Sequence, residues 1–352
     1  METTKKVTPP PVLCLLAALF FLCLFAPMAA GQDNPATDNW KDHLNSVDKL
    51  ANTGGGDGLS WKNAIEIASA EELAYFAQQV NSQGDIALGS GGGPIKHNGK
   101  GGDATGFKGY YFALAADIDL SDYDWTPIGN ATYPFEGNFD GRGHCVKGLK
   151  VRQVEIVSRA VYAGLFGYAY VGTLRNLGVR LADAGIQANL TEGSACVGGI
   201  AGYAYEIFNC YVVGEGTIEA SISGYGIYVN GIHAGGIVGY LDNGGSLTNC
   251  YATVNVKVEP KSTVHVGGIV GYGDSKSTIS CTYATGDVET GTGENYYYAG
   301  GICGYLQNTL KNSLAVNGRI IGGNPLSNRI VGKNESQSAL TDNYASPEIR
   351  VN

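Results

Sequence analysis

The chain has 352 residues, of which 53 are glycine and 16% are charged, and its formal net charge is −9. An acidic chain without clusters of lysine and arginine is poorly suited to nucleic acid or anionic lipid, because binding to both depends on basic side chains that neutralise phosphates. Glycine is about twice as frequent as in ordinary globular proteins. The composition therefore excludes nucleic acid as a partner and favours a structure rich in turns and strands.

Residues 1–31 are typical of a secretory signal peptide. Lys5 and Lys6 precede an uncharged apolar run over residues 12–25, and residues 29–31 are small. The run is shorter than the roughly 20 residues that span a bilayer, so we expect no transmembrane segment after cleavage. Cleavage removes two lysines and one glutamate and changes the net charge from −9 to −10. We predict a protein that is secreted or displayed on the cell surface, with the periplasm as an alternative.

An N-terminal extension is predicted over residues 32–60, and a capping helix with a glycine-rich loop over 61–106. Ser69 and Glu72 form the pattern of a capping box, and apolar residues follow at helical spacing. We expect a short amphipathic helix over residues 70–81. Because the first coil of a strand-built repeat exposes unpaired backbone groups, the natural role of this helix is to cover that edge.

From residue 107 to residue 345 the chain repeats a glycine-rich motif, with periods of 35, 37, 32 and 33 residues. The copies are AGLFGYA (163–169), VGGIAGYA (197–204), AGGIVGYL (234–241), VGGIVGYG (266–273) and AGGICGYL (299–306), with a worn sixth copy, RIVGKN (329–334). The glycines to which we assign a structural role are Gly164, Gly167, Gly199, Gly202, Gly236, Gly239, Gly268, Gly271, Gly301 and Gly304. Periods of this length indicate a solenoid, because one repeat cannot bury its apolar face without neighbours.

Each glycine motif is followed by a second block in which apolar and polar residues alternate, most plainly over residues 253–259. This alternation excludes a helical solenoid, and the short, variable unit disfavours a propeller, whose blades need about 40 to 45 residues. We place the loops that absorb insertions at 183–195, 219–232 and 287–296. The predicted fold class is all-β, a parallel β-helix (β-solenoid) with a short N-terminal capping helix and a C-terminal tail at 346–352.

The core of the motif, GLFG at 164–167 with the later copies GIAG, GIVG and GICG, resembles the GLUG motif of bacterial surface proteins, which also occurs in some immunoglobulin A peptidases. The preceding stretch FEGNFDGRGHCVKGLKV (135–151) is similar to the lead-in of the same family. The resemblance covers roughly residues 60–345. It implies a right-handed parallel β-helix and no activity, since the catalytic machinery of the peptidase members lies outside such repeats.

Asparagine recurs at one position of the second block, in Asn176, Asn209, Asn249 and Asn312, and Cys281 takes this place in one repeat. Asparagine tolerates left-handed backbone at a turn, and its side chain can bond to the backbone or to the next asparagine. We therefore predict an asparagine ladder with a structural role.

Tyrosine recurs two positions later, in Tyr211, Tyr251, Tyr283 and Tyr344. A ladder that faces solvent is a flat aromatic strip suited to sugar rings or to the apolar groups of a partner, whereas one that faces inward belongs to the core. Alternation along LTNCYAT favours the outward orientation, unless a turn at Asn249 breaks the count. The tyrosines are the candidate ligand-binding residues.

Asp117, Asp119, Asp122 and Asp124 form the densest acidic run and are the candidate metal ligands. Carboxylate oxygens could bind Ca²⁺, but the spacing lacks the glycine and the terminal glutamate of an EF-hand. Aspartates that cap a strand-to-turn segment are the alternative, which we favour. No other cofactor is expected.

Asp140, Arg142 and His144 alternate along FDGRGH and could act as an acid, an anion clamp and a base. Enzymes with β-helix folds build their sites from charged residues on neighbouring coils, and no second cluster accompanies these three. We assign no catalytic residues. The six cysteines outside residues 1–31 show no CxxC or Cys/His cluster, which argues against zinc and favours small buried residues, although export permits disulfides.

The sequence thus favours a non-catalytic, adhesin-like binding or scaffold module that recognises a host or glycan ligand. Two alternatives stay open: a carbohydrate-active β-helix enzyme, which needs two carboxylates within catalytic separation in one groove, and a subunit of a larger surface assembly. The identity of the ligand, the disulfide state and the oligomeric state do not follow from the residues.

Overall fold

The computed structural model describes residues 38–352 apart from 45–46, 92, 99–104, 153–155, 158, 224–230, 260–262, 292–295, 323–326 and 336–337. The predicted signal peptide lies outside the described residues. Over the described part the chain winds into stacked coils whose strands pair in parallel with those of the preceding and following coils. The predicted parallel β-solenoid is confirmed. Its right-handedness stays a prediction.

Among the described residues the strands form three sheets. The first sheet contains Ile65–Ile67, Tyr111–Leu114, Asn138–Asp140, Phe166–Arg175, Ala201–Phe208, Val238–Thr248, Val270–Gly273, Thr278–Ser280, Cys303–Leu306, Thr309–Lys311, Val331–Asn334 and Ala339–Thr341. The second sheet contains Ile118–Asp119, Cys145–Val151, Gly178–Leu190, Tyr211–Gly214, Ile218–Ile222, Tyr251–Ala252, Val256–Glu259, Tyr283–Ala284, Val288–Thr290, Leu314–Ala315, Arg319–Ile321, Tyr344–Ala345 and Arg350–Val351. The third sheet contains Ala160–Ala163, Ser194–Gly198, Gly231–Gly235, Val264–Gly267, Tyr297–Gly300 and Ser327–Asn328.

One coil visits the three sheets in a fixed order. Gly231–Gly235 of the third sheet leads across a glycine corner into Val238–Thr248 of the first sheet, and a turn at Asn249 leads into the second sheet. Equivalent residues lie in register on successive coils: Val238 pairs with Ala201 on one side and with Val270 on the other. Insertions therefore leave the stacking of the strands intact.

The core runs along the inside of the coils. Val256 and Val258 are fully buried, whereas Lys257 between them is half-buried and Glu259 is exposed, as the alternation predicts. The same alternation continues through 186–190 and 218–222, which are strands of the second sheet. The prediction of loops at 183–195, 219–232 and 287–296 was therefore wrong for these residues and for the strand Val288–Thr290, because their apolar positions pair with those of the neighbouring coils.

The helix α1 spans Ala70–Ser82, close to its predicted bounds. The Ser69 side chain accepts a hydrogen bond from the Glu72 amide, and the buried Glu72 carboxylate accepts from the amides of Ala51 and Ala68. Phe76 is fully buried. The helix thus packs on the first coils through an apolar face, and its N-terminus is satisfied by its own sequence.

The asparagine positions lie in the left-handed region of the backbone. Asn176, Asn209 and Asn249 have φ values of 50°, 54° and 56°. The Asn249 amide donates to the Asn209 side-chain oxygen at 2.9 Å, and the Asn209 amide donates to Asn176 at 2.8 Å. Cys281 and Asn312 adopt the same backbone, with φ values of 53° and 54°. The turn is therefore maintained where the asparagine is replaced.

Replacement of Asn249 by alanine tests this turn. Alanine in left-handed backbone and the loss of the side-chain hydrogen bonds should together lower the free energy of unfolding by about 2 kcal/mol. Glycine at the same position removes only the hydrogen bonds, so Asn249→Gly should cost about half as much. Urea denaturation of both variants measures the difference. Equal costs would show that the backbone conformation of the turn contributes nothing.

Candidate functional site

The corner between the third and first sheets is sharp because glycine allows two strands to approach closely. A Cβ atom on Gly239 would lie 2.4 Å from the Val197 backbone nitrogen, and one on Gly304 would lie 2.3 Å from the Val266 nitrogen. These distances leave no room for a side chain. The second glycine of the motif therefore sets the angle between the two sheets.

Aromatic side chains fill the outside of this corner. On the first sheet the tyrosines that follow the second glycine form a stack, and on the third sheet a second row faces them. We call these residues the aromatic corner: Tyr162, Tyr168, Tyr203, His233, Tyr240, His265, Tyr272, Tyr298 and Tyr305. Outward side chains of two neighbouring sheets can contact one another only if the surface between them is re-entrant, so the corner is a concave edge of the solenoid.

Within the first-sheet row the rings lie face to face. The centroids of Tyr203 and Tyr240 are 5.0 Å apart, and those of Tyr240 and Tyr272 are 4.9 Å apart, with interplanar angles of 5° and 15°. Tyr168 and Tyr305 extend the stack at its two ends. Each inner ring is covered on both faces, so the stack presents ring edges and hydroxyl groups to solvent.

The third-sheet row contacts the tyrosine stack edge-on. The His233 ring lies 5.5 Å from Tyr240, and the His265 ring lies 5.2 Å from Tyr272, both in edge arrangements. The two histidines are themselves stacked, and their Nδ1 atoms are 2.9 Å apart. One Nδ1 must donate and the other accept, so the hydrogen bond is lost when both rings are protonated.

The tyrosine hydroxyls donate to carboxylates of the following coil. The Tyr240 hydroxyl donates to Asp274 at 2.6 Å, and those of Tyr203 and Tyr305 bond to Asp242 and Glu335. These carboxylates follow the tyrosine position by two residues, and Gln307 takes the same place on the coil between Asp274 and Glu335. We call Asp242, Asp274, Gln307 and Glu335 the acid row.

The two histidines of the corner and the tyrosines of its first-sheet row are held in their uncharged forms. Burial, with a smaller contribution from the Asp274 carboxylate, raises the pKa of Tyr272 to about 12. Burial lowers the pKa of His233 to about 4. Burial also lowers the pKa of His265 well below its usual value, with help from the nearby charges of His233 and Lys333. At neutral pH the corner therefore presents neutral hydrogen-bonding groups.

The histidine pair predicts a loss of stability in mild acid. The unfolded chain binds protons with the ordinary histidine pKa of 6.5, whereas the folded chain resists protonation until the pH approaches 4. Stability is thus complete above pH 6.5 and is lost as the pH falls below it. We expect the free energy of unfolding to drop by about 2 kcal/mol between pH 7 and pH 5.

The variant His233→Gln/His265→Gln, measured by urea denaturation at both pH values, should lose less than half as much between them. A pH dependence that is the same with and without the two histidines would contradict the assignment.

The predicted tyrosine ladder lies on the second sheet. Tyr211 and Tyr251 stack at 5.2 Å, and Tyr251 and Tyr283 stack at 4.8 Å. Leu314 separates Tyr344 from Tyr283, so the structure corrects the four-membered ladder to three rings. Tyr211 is 7% exposed. Because the stacked rings cover one another's faces, this ladder does not present the flat strip of ring faces that the sequence suggested.

The four candidate metal ligands are not brought together. Asp117 forms an ion pair with Lys147 at 2.7 Å, and the Asp119 carboxylate accepts from the Ser121 amide. Asp124 is buried and accepts from Arg152 at 2.9 Å, whereas Asp122 is exposed. Burial opposes ionisation of Asp117, but its hydrogen bonds to Lys147 and the Cys145 amide outweigh this and lower its pKa.

Within the described part of the chain no group of three or more His, Cys, Asp or Glu side chains could hold a metal ion. Asp117, Asp119 and Asp124 therefore serve separately in turn caps and ion pairs, which agrees with the favoured interpretation.

Asp140, Arg142 and His144 also have separate partners. Asp140 is buried and accepts two hydrogen bonds from the Arg175 guanidinium, at 2.8 and 2.9 Å. Arg142 pairs with Glu66, and His144 lies beside Asp117. The three side chains hold neighbouring coils together and form no catalytic constellation.

The six cysteines of the described residues form no disulfide bond. Cys145, Cys196, Cys210, Cys250 and Cys303 are buried, and Cys281 is half-buried. Among the described residues no helix is long and apolar enough to cross a membrane.

A cavity of about 510 Å³ lies between α1 and residues 39–42. Its two tryptophans, Trp40 and Trp125, are buried and donate their indole N–H groups to backbone carbonyls, so neither offers a free polar group there.

The fold and the corner define the class of protein: a parallel β-solenoid built from glycine-cornered repeats. The family model of the GLUG motif matches residues 230–257, which include the corner of one coil, so the chain carries a GLUG motif there. No curated protein matches the chain. Among solved structures, a "putative immunoglobulin A1 protease" from Bacteroides ovatus is similar in fold, with a TM-score of 0.57 and 24% identity over 84% of this chain and 79% of that chain.

Proposed function

We propose that the chain is an exported, non-catalytic binding module, adhesin-like in character, that recognises a host or glycan ligand at the aromatic corner and the acid row. The observation that carries the proposal is the repetition of one polar arrangement, a tyrosine hydroxyl bonded to a carboxylate of the next coil, at half-buried positions along the solenoid. A ligand with repeating units can make the same contact on several coils. The similarity in fold to a protein named as a protease adds no activity, because folds host many functions.

A binding test that also detects turnover separates this proposal from enzymatic activity. The purified chain is applied to an array of glycans, mucins and matrix proteins, and bound ligand is analysed for cleavage. We expect retention without cleavage, and weaker retention when Tyr240 and Tyr272 are replaced by serine. Serine at Tyr251 and Tyr283 is the matched control and should leave retention unchanged. Absence of retention on every surface would contradict the proposal.

Asp242 and Asp274 favour one second candidate, a glycoside hydrolase. Their neighbours Leu241 and Gly273 pair directly, so the two carboxylates occupy successive coils about 4.8 Å apart along the backbone. Retaining glycosidases separate their carboxyl groups by about 5 Å. Such enzymes also need one carboxyl group that is free to donate its proton to the leaving group, whereas both of these carboxylates already accept a hydrogen bond from a tyrosine hydroxyl, that of Tyr203 or Tyr240.

The assay for the second candidate is the release of reducing ends from polysaccharides. We expect none from the unmodified chain. Release that disappears in Asp242→Asn/Asp274→Asn would establish the hydrolase and overturn the binding proposal.

A further inference from the structure

The aromatic corner and the acid row together present more hydrogen-bond acceptors than donors. The Tyr240 hydroxyl donates to Asp274, so the lone pairs of its oxygen are left to accept. Each carboxylate has about four acceptor positions, of which the tyrosine uses one; in Asp242 and Asp274 the following backbone amide uses another. In the histidine pair one Nδ1 donates to the other, so the distal nitrogens comprise one acceptor and one donor. A matching ligand must supply many donors.

The orientation of the rings argues against a cationic ligand, although ammonium groups are good donors. A cation is attracted to the face of an aromatic ring, where the π electrons concentrate, whereas the ring edge carries partial positive charge. In the stack the faces of Tyr203, Tyr240 and Tyr272 cover one another, and the edges point outward. These edges favour the oxygen atoms of hydroxyl groups over ammonium groups.

The last coil shows the same preference of a cation for the face of an aromatic ring. Lys333 takes the tyrosine position in the coil that follows Tyr305. Its ammonium lies 5.2 Å from the ring centroid of Tyr305 and 5.3 Å from that of Tyr298. The chain thus places its own cation at the end of the stack, where a ring face would otherwise be open.

Anionic ligands are disfavoured by charge. Asp242, Asp274 and Glu335 belong to the acid row. Lys333, which continues the row of tyrosines, is the one cation among the described side chains of that row and of the acid row. The chain as a whole carries a formal net charge of −9. A uronic acid polymer or a sulfated glycan would therefore meet like charge at Asp242, Asp274 and Glu335.

We propose that the aromatic corner and the acid row bind a neutral polysaccharide, whose extended chain lies along the solenoid axis over the coils of Tyr203, Tyr240 and Tyr272. Coils repeat every 4.8 Å or so, and an extended chain of β-linked pyranose rings advances by nearly the same distance per sugar, so one sugar can lie over each coil. Each sugar hydroxyl donates to a tyrosine or carboxylate oxygen, and its oxygen faces a ring edge. This inference rests on the proposed binding function and specifies its ligand.

Affinity electrophoresis of the purified chain tests the inference. Native gels contain glucomannan, xyloglucan or mixed-linkage β-glucan as neutral probes, polygalacturonate as the polyanion, or chitosan as the polycation. We expect retardation by at least one neutral polymer and a weaker effect of the two charged polymers. The variant Tyr240→Phe/Tyr272→Phe keeps the ring stack and removes two acceptors, and should weaken retardation by about three- to ten-fold.

The matched control is Tyr251→Phe/Tyr283→Phe, which makes the same change in the second-sheet stack and should bind as the unmodified chain does. Preferential retardation by polygalacturonate or chitosan would overturn the inference and leave a binding function standing. Retardation by a neutral polymer that is equally weakened by both double variants, or by neither, would overturn the assignment to the corner. If no polymer retards the chain and no surface of the array retains it, both this inference and the proposed binding function are contradicted.

Discussion

Replacement of Gly239 by alanine is expected to destabilise the solenoid by about 3 kcal/mol or more. The added Cβ would lie 2.4 Å from the Val197 nitrogen and 2.7 Å from the carbonyl oxygens of Gly202 and His233. All three atoms belong to backbone that pairs with neighbouring coils, so no flexible side chain can move aside. The corner has to open, and the pairing on both sides of it is strained.

The control for this prediction is Gly93→Ala, where the added Cβ meets nothing within 4 Å. That change should alter the free energy of unfolding by less than about 0.5 kcal/mol. Urea denaturation followed by circular dichroism compares the two variants. A Gly239→Ala variant as stable as Gly93→Ala would show that the second glycine of the motif does not determine the corner.

The second large effect is expected from Phe76→Ala in α1, at about 3 to 5 kcal/mol. Phe76 is fully buried, and its ring contacts those of Phe107, Phe112, Phe135 and Phe139 at centroid distances of 4.7–6.4 Å. Truncation leaves a cavity between the helix and the first coils. Because the helix packs over this end of the solenoid, loosening it should also expose the unpaired edge of Ile65–Ile67.

Two measurements check the effect at the cap. Urea denaturation gives the loss of stability, and size-exclusion chromatography detects association through the exposed edge. Gln78→Ala, at an exposed position of the same helix, is the control and should be nearly neutral. If Phe76→Ala remained as stable and as monodisperse as the control, the helix would not serve as a cap.

The architecture was predictable because its determinants are local and repeated. The glycine motif marks each corner, the asparagine position marks each left-handed turn, and Ser69 with Glu72 marks the start of the helix. All three are short-range signals, and the glycine and asparagine positions recur from coil to coil. The strands at 186–190 and 218–222 lie where the repeat length varies, and variation in length predicts loops, although the alternation of their residues already indicates strands.

The candidate site was less accessible from the sequence. Tyr240 can be recognised because tyrosine recurs at its position of the repeat, but its partner His233 lies seven residues earlier on a different sheet. In the third-sheet row the equivalent residues are Tyr162, Cys196, His233, His265 and Tyr298, which share no chemical type. Only the re-entrant angle shows that the two rows meet. The acid row had a signal, since Asp242 and Asp274 each follow the motif tyrosine by two residues.

The tyrosines chosen from the sequence illustrate a limit of parity arguments. Alternation correctly separates the buried Cys250 and Ala252 from the half-buried Tyr251. Alternation does not reveal that neighbouring rings cover one another's faces along the solenoid, since this stacking depends on the coil spacing and on the rotamers of the rings. Stacked ladders present edges and hydroxyls, and this changes the chemistry of the ligand that they suit.

The most direct measurement of the central claim is a crystal structure of the purified chain with an oligosaccharide derived from the neutral polymer that it retains best. We predict sugar rings along the aromatic corner, with hydroxyl groups within hydrogen-bond distance of Tyr240, Tyr272 and the carboxylates of the acid row. A sugar bound instead on the second-sheet stack, or in the cavity beside α1, with the corner empty, would contradict the account.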